Sequence, residues 1–72
     1  MHDLNARLLA AHAAGDTAAL VTLYRAAAHH TQDANAAGFF LTQAYVYALE
    51  IGHPAAADLR ADLVSRGRET PL

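Results

Sequence analysis

Three glycines divide a chain whose apolar residues otherwise recur with the period of an α-helix. Gly15, Gly52 and Gly67 each follow such a periodic segment, and the polar stretch 29–35 supplies a further break. Apolar positions three or four residues apart indicate amphipathic helices, and glycine readily adopts the left-handed backbone that often ends a helix. The pattern predicts four helices, at about residues 4–14, from 16 or 17 to the polar stretch, 36–51 and 54–66.

Residues suited to begin a helix stand at each predicted start. Short side chains with an acceptor oxygen bind the free N–H groups of a first turn, and proline fits there because its missing N–H is not needed. The candidates are Asp3 for the first helix, Asp16 or Thr17 for the second, Asp33 or Asn35 for the third and Pro54 for the fourth.

Short connections predict that these helices pair as two antiparallel helix-turn-helix hairpins, at about residues 4–30 and 36–66. We therefore expect a single all-α domain over residues 1–67, with residues 68–72 as a flexible tail. The inner faces that would meet are Leu4, Leu8 and Ala11 in the first helix, Leu20, Leu23, Tyr24 and Ala27 in the second, and Ala56, Leu59 and Leu63 in the fourth.

The predicted third helix is apolar around most of its circumference. Its apolar residues are Phe39, Phe40, Leu41, Ala44, Tyr45, Val46, Tyr47, Ala48, Leu49 and Ile51. A helix of this kind is normally buried on nearly all sides. Tyr45 and Tyr47 lie about 200° apart around it, so we expect that they do not face one intramolecular core. Either the two hairpins wrap this helix completely, or its uncovered apolar side is a protein interface.

The shortness of the chain favours the interface. A domain of 72 residues buries only roughly 60% of the surface of its unfolded chain, and small domains often gain stability from disulfides, metals or oligomerisation. The sequence has no cysteine, which excludes disulfides and thiolate metal sites and is compatible with a reducing compartment. Much of its 54% hydrophobic content is alanine, which forms helices well but buries little area.

Charge and hydropathy exclude two classes of partner. The net charge is −2 and the five arginines are scattered, so no basic stripe for a phosphate backbone is present. Polar residues interrupt every apolar run before the roughly 18 positions that a membrane span needs, and the first residues lack the pattern of a signal peptide. We expect a soluble, cytoplasmic protein. The absence of lysine indicates a GC-rich, bacterial coding bias.

An internal repeat links the two predicted hairpins. The pattern Ala-x-x-x-Gly occurs at 11–15 and again, 37 residues later, at 48–52. Each glycine is followed by an alanine pair, Ala18-Ala19 or Ala55-Ala56, and then by a helix that carries Leu23 or Leu59. The spacing is close to that of helical-hairpin repeats of about 34 residues and more.

At these residues the chain resembles a pair of tetratricopeptide-like motifs. The resemblance spans about residues 4–67 and implies a fragment of a right-handed α-α superhelix. Members of that family usually bind peptides or partner proteins on a concave face. The resemblance implies the hairpin architecture but not a peptide-binding site. The bulky aromatic residue and the Leu-Gly pair that the family has early in each first helix are not present in full.

Titratable residues give little indication of chemistry. Asp33 lies four residues after His29 and three after His30, so a weak two-ligand metal site is conceivable there. Asp16 also lies four residues after His12, but the helix break at Gly15 separates them. Solvated histidines at helix ends are the simpler interpretation. Glu50 could be a buried carboxyl, but its place near a helix end favours exposure. No phosphate loop, nucleophile elbow or zinc-protease motif occurs, so we predict no enzyme activity, no catalytic or metal site and no cofactor.

The sequence therefore predicts a small helical-repeat module that binds protein and forms a homodimer through its third helix. The alternative is an adaptor or regulatory subunit of a larger bacterial complex, and metal binding by histidines is a remote third possibility. The predicted interface residues are Tyr24, Phe39, Phe40, Tyr45, Tyr47 and Ile51.

Overall fold

The computed structural model describes residues 2–67, which form four α-helices and no strand. The helices are α1 (His2–Ala14), α2 (Thr17–His30), α3 (Ala34–Ile51) and α4 (Ala56–Ser65). The all-α class and the helical-hairpin pairing are as predicted, and the predicted tail 68–72 lies outside the described residues. Within the described part of the chain, no helix is both long enough and apolar enough to cross a bilayer.

The helix ends follow the chemistry of their boundary residues. Gly15 and Gly52 have φ angles of +67° and +62°, and the Gly52 N–H donates to the carbonyls of the last turn of α3. The Asp16 carboxylate accepts from the Ala19 N–H at 3.2 Å and caps α2. The Asp33 carboxylate accepts from the Asn35 N–H at 2.9 Å and caps α3. At both starts the aspartate is therefore the N-cap.

Three predicted boundaries were wrong. Asp3 is not an N-cap, because α1 already includes it and its carboxylate pairs with Arg7 at 3.3 Å. α3 begins two residues earlier than predicted, directly after its cap. Pro54 lies in a turn before α4, whose N-cap is Ala55 with no side-chain hydrogen bond. That turn is held by His53, whose Nδ1 accepts from the Ala55 N–H at 3.0 Å.

The backbone of each helix approaches only the helices that neighbour it in sequence. No Cα atom of α1 lies within 8 Å of α3 or α4, and none of α2 lies within 8 Å of α4. The molecule measures 34 × 29 × 13 Å along its principal axes. Four helices side by side at spacings of about 9 Å span about 32 Å, and an 18-residue helix is about 27 Å long. The fold is therefore close to a single layer of helices.

The core lies along both sides of α3 and is built mainly from small residues. Leu41, Leu59, Leu63 and Val21 are its largest fully buried side chains. The other buried members of the same cluster are Ala28, Ala37, Ala44, Ala48 and Ala55. Alanine at a helix contact lets two helix axes approach closely. The burial of Leu59 and Leu63 confirms the predicted inner face of α4 at these two residues. Leu23 and Tyr24 of α2 are only partly buried.

Candidate interaction surface

One face of α3 is apolar and open to solvent. Phe39, Val46 and Leu49 are 56%, 45% and 57% exposed, and Thr42, which lies between them, is also exposed. Their spacing of three, four and three residues places them along one side of the helix. We call these four residues the α3 stripe. The opposite side of α3 is buried where α2 and α4 contact it, so the stripe faces away from the rest of the protein.

The polar groups of the α3 stripe do not oppose its burial by a partner. The Thr42 hydroxyl donates to the Gly38 carbonyl at 2.9 Å within the same helix. Covering Thr42 would therefore not strand an unsatisfied hydroxyl, which would otherwise cost about 1–3 kcal/mol. Glu50, at the edge of the stripe, is exposed as expected. The stripe thus combines apolar side chains in the middle with charge at its rim, the usual composition of an interface.

A second feature is an aromatic cluster formed by His12 of α1, Tyr24 of α2, and Phe40 and Tyr47 of α3. Tyr24 stacks on Tyr47 with ring centroids 5.9 Å apart and an interplanar angle of 18°. Phe40 lies 6.2 Å from Tyr24. His12 meets Tyr24 and Tyr47 edge-on at 5.9 and 6.1 Å. The cluster joins α1 to α3 through side chains, although the backbones of these two helices do not touch.

The Tyr24 hydroxyl lies 2.9 Å from His12 Nε2, within hydrogen-bonding distance. Burial raises the pKa of the Tyr24 phenol above its ordinary value, and the neighbouring Tyr47 phenol raises that pKa further. Both effects disfavour the tyrosinate, since a charged phenolate loses hydration on burial and is repelled by a second one. The cluster is therefore built around a neutral Tyr24.

The raised pKa predicts a loss of stability at alkaline pH. Tyr24 ionises in the unfolded chain at about pH 10 but only at higher pH in the folded chain, so its contribution is full below about pH 10 and falls as pH rises through the folded pKa. Urea unfolding from about pH 8 to about pH 11 measures this decline. Tyr24→Phe should decline less steeply, although its absolute stability also changes because the bond to His12 is lost. Equal slopes in both proteins would contradict the assignment to Tyr24.

The structure divides the six predicted interface residues into two groups. Phe39 is on the α3 stripe, and Ile51 is 46% exposed at the end of the helix. The other four, Tyr24, Phe40, Tyr45 and Tyr47, are half-buried and pack against the core cluster. Their side chains contribute mainly to the fold of the single chain.

The expectation that Tyr45 and Tyr47 cannot both face one core was wrong. Both pack against the same cluster of buried residues. The reason is that α2 and α4 contact α3, so the buried arc of this helix is wide enough to include one tyrosine at each edge.

Two residues of the stripe were missing from the predicted interface. Val46 and Leu49 are as exposed as Phe39, and they lie seven and ten residues after it. This spacing is a sequence signal for a shared helix face. The predicted interface consists mainly of aromatic residues, whereas the spacing from Phe39 leads to Val46 and Leu49.

The histidines do not come together as a metal centre. Among the residues that the structure describes, no three histidine, aspartate or glutamate side chains are placed to hold a metal ion. The two aspartates considered as ligands, Asp16 and Asp33, bind backbone N–H groups as helix caps. Those hydrogen bonds and a metal ion would compete for the same carboxylates.

A shallow groove of about 570 Å³ runs between α1 and α2. Its walls are mostly small or apolar, with Ala10, Ala14, Ala19 and Leu23 among them. Arg7, which also lines it, is paired with Asp3. Small-molecule sites usually combine an apolar pocket with several convergent polar groups. This groove has the apolar lining, but few polar groups converge on it.

No protein-family model, curated protein or solved structure matches this chain.

Proposed function

We propose that this chain is a non-catalytic interaction module that forms a homodimer through the α3 stripe. The observation that carries the proposal is the alignment of Phe39, Val46 and Leu49, each close to half exposed, along one face of the longest helix. Isolated exposed apolar residues are ordinary on a protein surface, whereas an aligned group commonly marks a contact site.

The architecture also favours a second copy as the partner. Domains are usually built from two packed layers of secondary structure, and this chain supplies close to one layer, 13 Å thick. A symmetric dimer would cover the same patch on both copies and supply the second layer. Oligomerisation is also a common source of stability for chains of this size.

The area of the stripe limits how tight the dimer can be. Its three large side chains expose roughly 300 Å² of apolar surface. Standard interfaces bury about 800 Å² on each partner, and transient ones bury less than about 600 Å². Even with its polar rim included, the stripe is at the small end of this range. We therefore expect a dimer that dissociates on dilution through the micromolar range, rather than a permanent one.

The tetratricopeptide-like stacking of hairpins is part of this proposal. The two hairpins are joined by the contact of α2 with α3, and the internal repeat relates α1 to α3. Repeat arrays generally need three or more units to be stable. A second copy of the chain would add two further hairpins to the two that the structure describes.

A matched pair of leucine substitutions tests the homodimer. Leu49→Asp places a carboxylate in the stripe of both copies and should weaken the dimer by more than about 100-fold. Leu9→Asp, at a leucine of α1 that is 65% exposed, should leave the dimer intact. Analytical ultracentrifugation over a concentration series measures both, with circular dichroism to verify that each variant keeps its helices.

A wild-type chain that remains a monomer at high micromolar concentration would contradict the homodimer. The stripe would then be better explained as the docking face of an adaptor for a different protein. Equal weakening by Leu49→Asp and Leu9→Asp would instead show that the contact does not lie on the α3 stripe.

A further inference from the structure

We propose that the two copies pair through antiparallel α3 helices, with the twofold axis crossing them at the level of Ala44. This arrangement rests on the proposed homodimer and specifies its geometry. Its basis is the symmetry of the stripe within one chain. Phe39 and Leu49 each lie five residues from Ala44, and Thr42 and Val46 each lie two residues from it.

The symmetry of spacing is matched by a symmetry of residue type. A twofold axis at Ala44 sets Phe39 against the partner's Leu49 and Thr42 against the partner's Val46. Both outer pairs join two large apolar side chains, and both inner pairs join two β-branched side chains of similar volume. A self-complementary surface of this kind is what a twofold interface requires, because each contact occurs twice.

The helix dipoles favour the antiparallel direction over the parallel one. In the antiparallel pair, the partially positive N-terminus of each α3 lies beside the partially negative C-terminus of the partner's α3. In a parallel pair, like ends of the two helices lie side by side. The Asp33 and Glu50 carboxylates do not distinguish the directions, because both directions place two of them at each end of the contact.

Complementary charges can test the direction directly. Phe39→Glu and Leu49→Arg should each remain a monomer alone, because every antiparallel homodimer would bury two unpaired charges. Mixed in equal amounts, they form one Glu–Arg pair and one intact Phe–Leu pair in the antiparallel register only. We expect the mixture to associate within about tenfold of the wild-type dissociation constant, and each variant alone to be weaker by more than about 100-fold.

A second mixture reports on the parallel register. A mixture of Phe39→Glu and Phe39→Arg brings opposite charges together only in a parallel dimer, where position 39 of one chain faces position 39 of the other. In the antiparallel register this mixture should stay monomeric. Ultracentrifugation of both mixtures decides between the directions. Association of the second mixture, or of neither, with a dimeric wild type would overturn the antiparallel register but leave the homodimer standing. A monomeric wild type would instead overturn the homodimer itself.

Discussion

Replacement of Leu41 by alanine is expected to remove about half of the stability of this chain. Leu41 is 2% exposed and lies in one cluster with Leu59 and Leu63. Truncation of a buried leucine to alanine costs about 2–5 kcal/mol, because apolar burial is lost and a cavity remains. A domain of this size has roughly 4–10 kcal/mol in total. The variant should therefore unfold at much lower urea concentration, and circular dichroism at the helical band follows the transition.

The same substitution at Leu49 provides the control. Leu49 lies on the same helix but is 57% exposed, so Leu49→Ala should change the monomer's stability by less than about 0.5 kcal/mol. Both variants are compared at concentrations below those at which the wild type dimerises, since the dimer would add its own stabilisation. Equal losses in Leu41→Ala and Leu49→Ala would mean that the two faces of α3 have been assigned wrongly.

Enlargement of Ala48 is the second change with a large expected effect. Ala27, Ala44 and Ala48 are each 0% exposed, and their small size sets how closely the helices approach. Leucine at position 48 has no free volume to occupy and must displace a neighbouring helix. Overpacking of this kind typically costs about 1–3 kcal/mol. Urea unfolding of Ala48→Leu should show a clear loss, and near-ultraviolet circular dichroism should show altered packing of the tyrosines.

Ala13→Leu is the corresponding exposed substitution. Ala13 lies near the end of α1 and is exposed, so leucine there gains no contact and meets no obstacle. Its stability should stay within about 0.5 kcal/mol of the wild type. A stable Ala48→Leu variant would contradict a close, alanine-mediated approach of the helices around α3.

The helices themselves could be predicted from local chemistry. Gly52 ends α3 because its left-handed backbone closes the last turn, and the Asp16 and Asp33 side chains cap the helices that follow them. Leu59 and Leu63 could be placed in the core from their spacing alone. Each of these features depends on residues within a few positions in sequence, which is why the sequence determines them.

The predicted helix starts were wrong where another interaction competes with the local preference of a residue type. Asp3 was expected as a cap, but α1 extends past it and the carboxylate pairs with Arg7. Pro54 was expected inside α4, but the hydrogen bond from the Ala55 N–H to His53 forms a turn that delays the helix. These choices depend on small differences in free energy between alternative helix starts, which residue type alone does not settle.

The exposed apolar stripe lies on the helix that the sequence singles out, but only one of the six predicted interface residues, Phe39, belongs to it. Periodicity states which residues of α3 share a face, but it does not state which face α2 and α4 will cover. Phe39 was placed correctly among the exposed residues, while Tyr47 became part of a cluster with His12, a residue 35 positions away in sequence. That contact depends on how α1, α2 and α3 pack together, and no local pattern encodes it.

Backbone contacts form only between helices that are neighbours in sequence, and this affects how the chain folds. Every backbone contact between helices can form after closure of only one short connection, so the entropy lost in bringing distant segments together is small. Proteins with such local contacts fold among the fastest known. The backbone of α4 contacts only α3, whereas α1 contacts α2 and also reaches α3 through the rings of His12 and Tyr47. Both outer helices can detach while the more extensive α2–α3 contact stays formed. Amide hydrogens should therefore exchange fastest in the two outer helices and slowest in the α2–α3 pair.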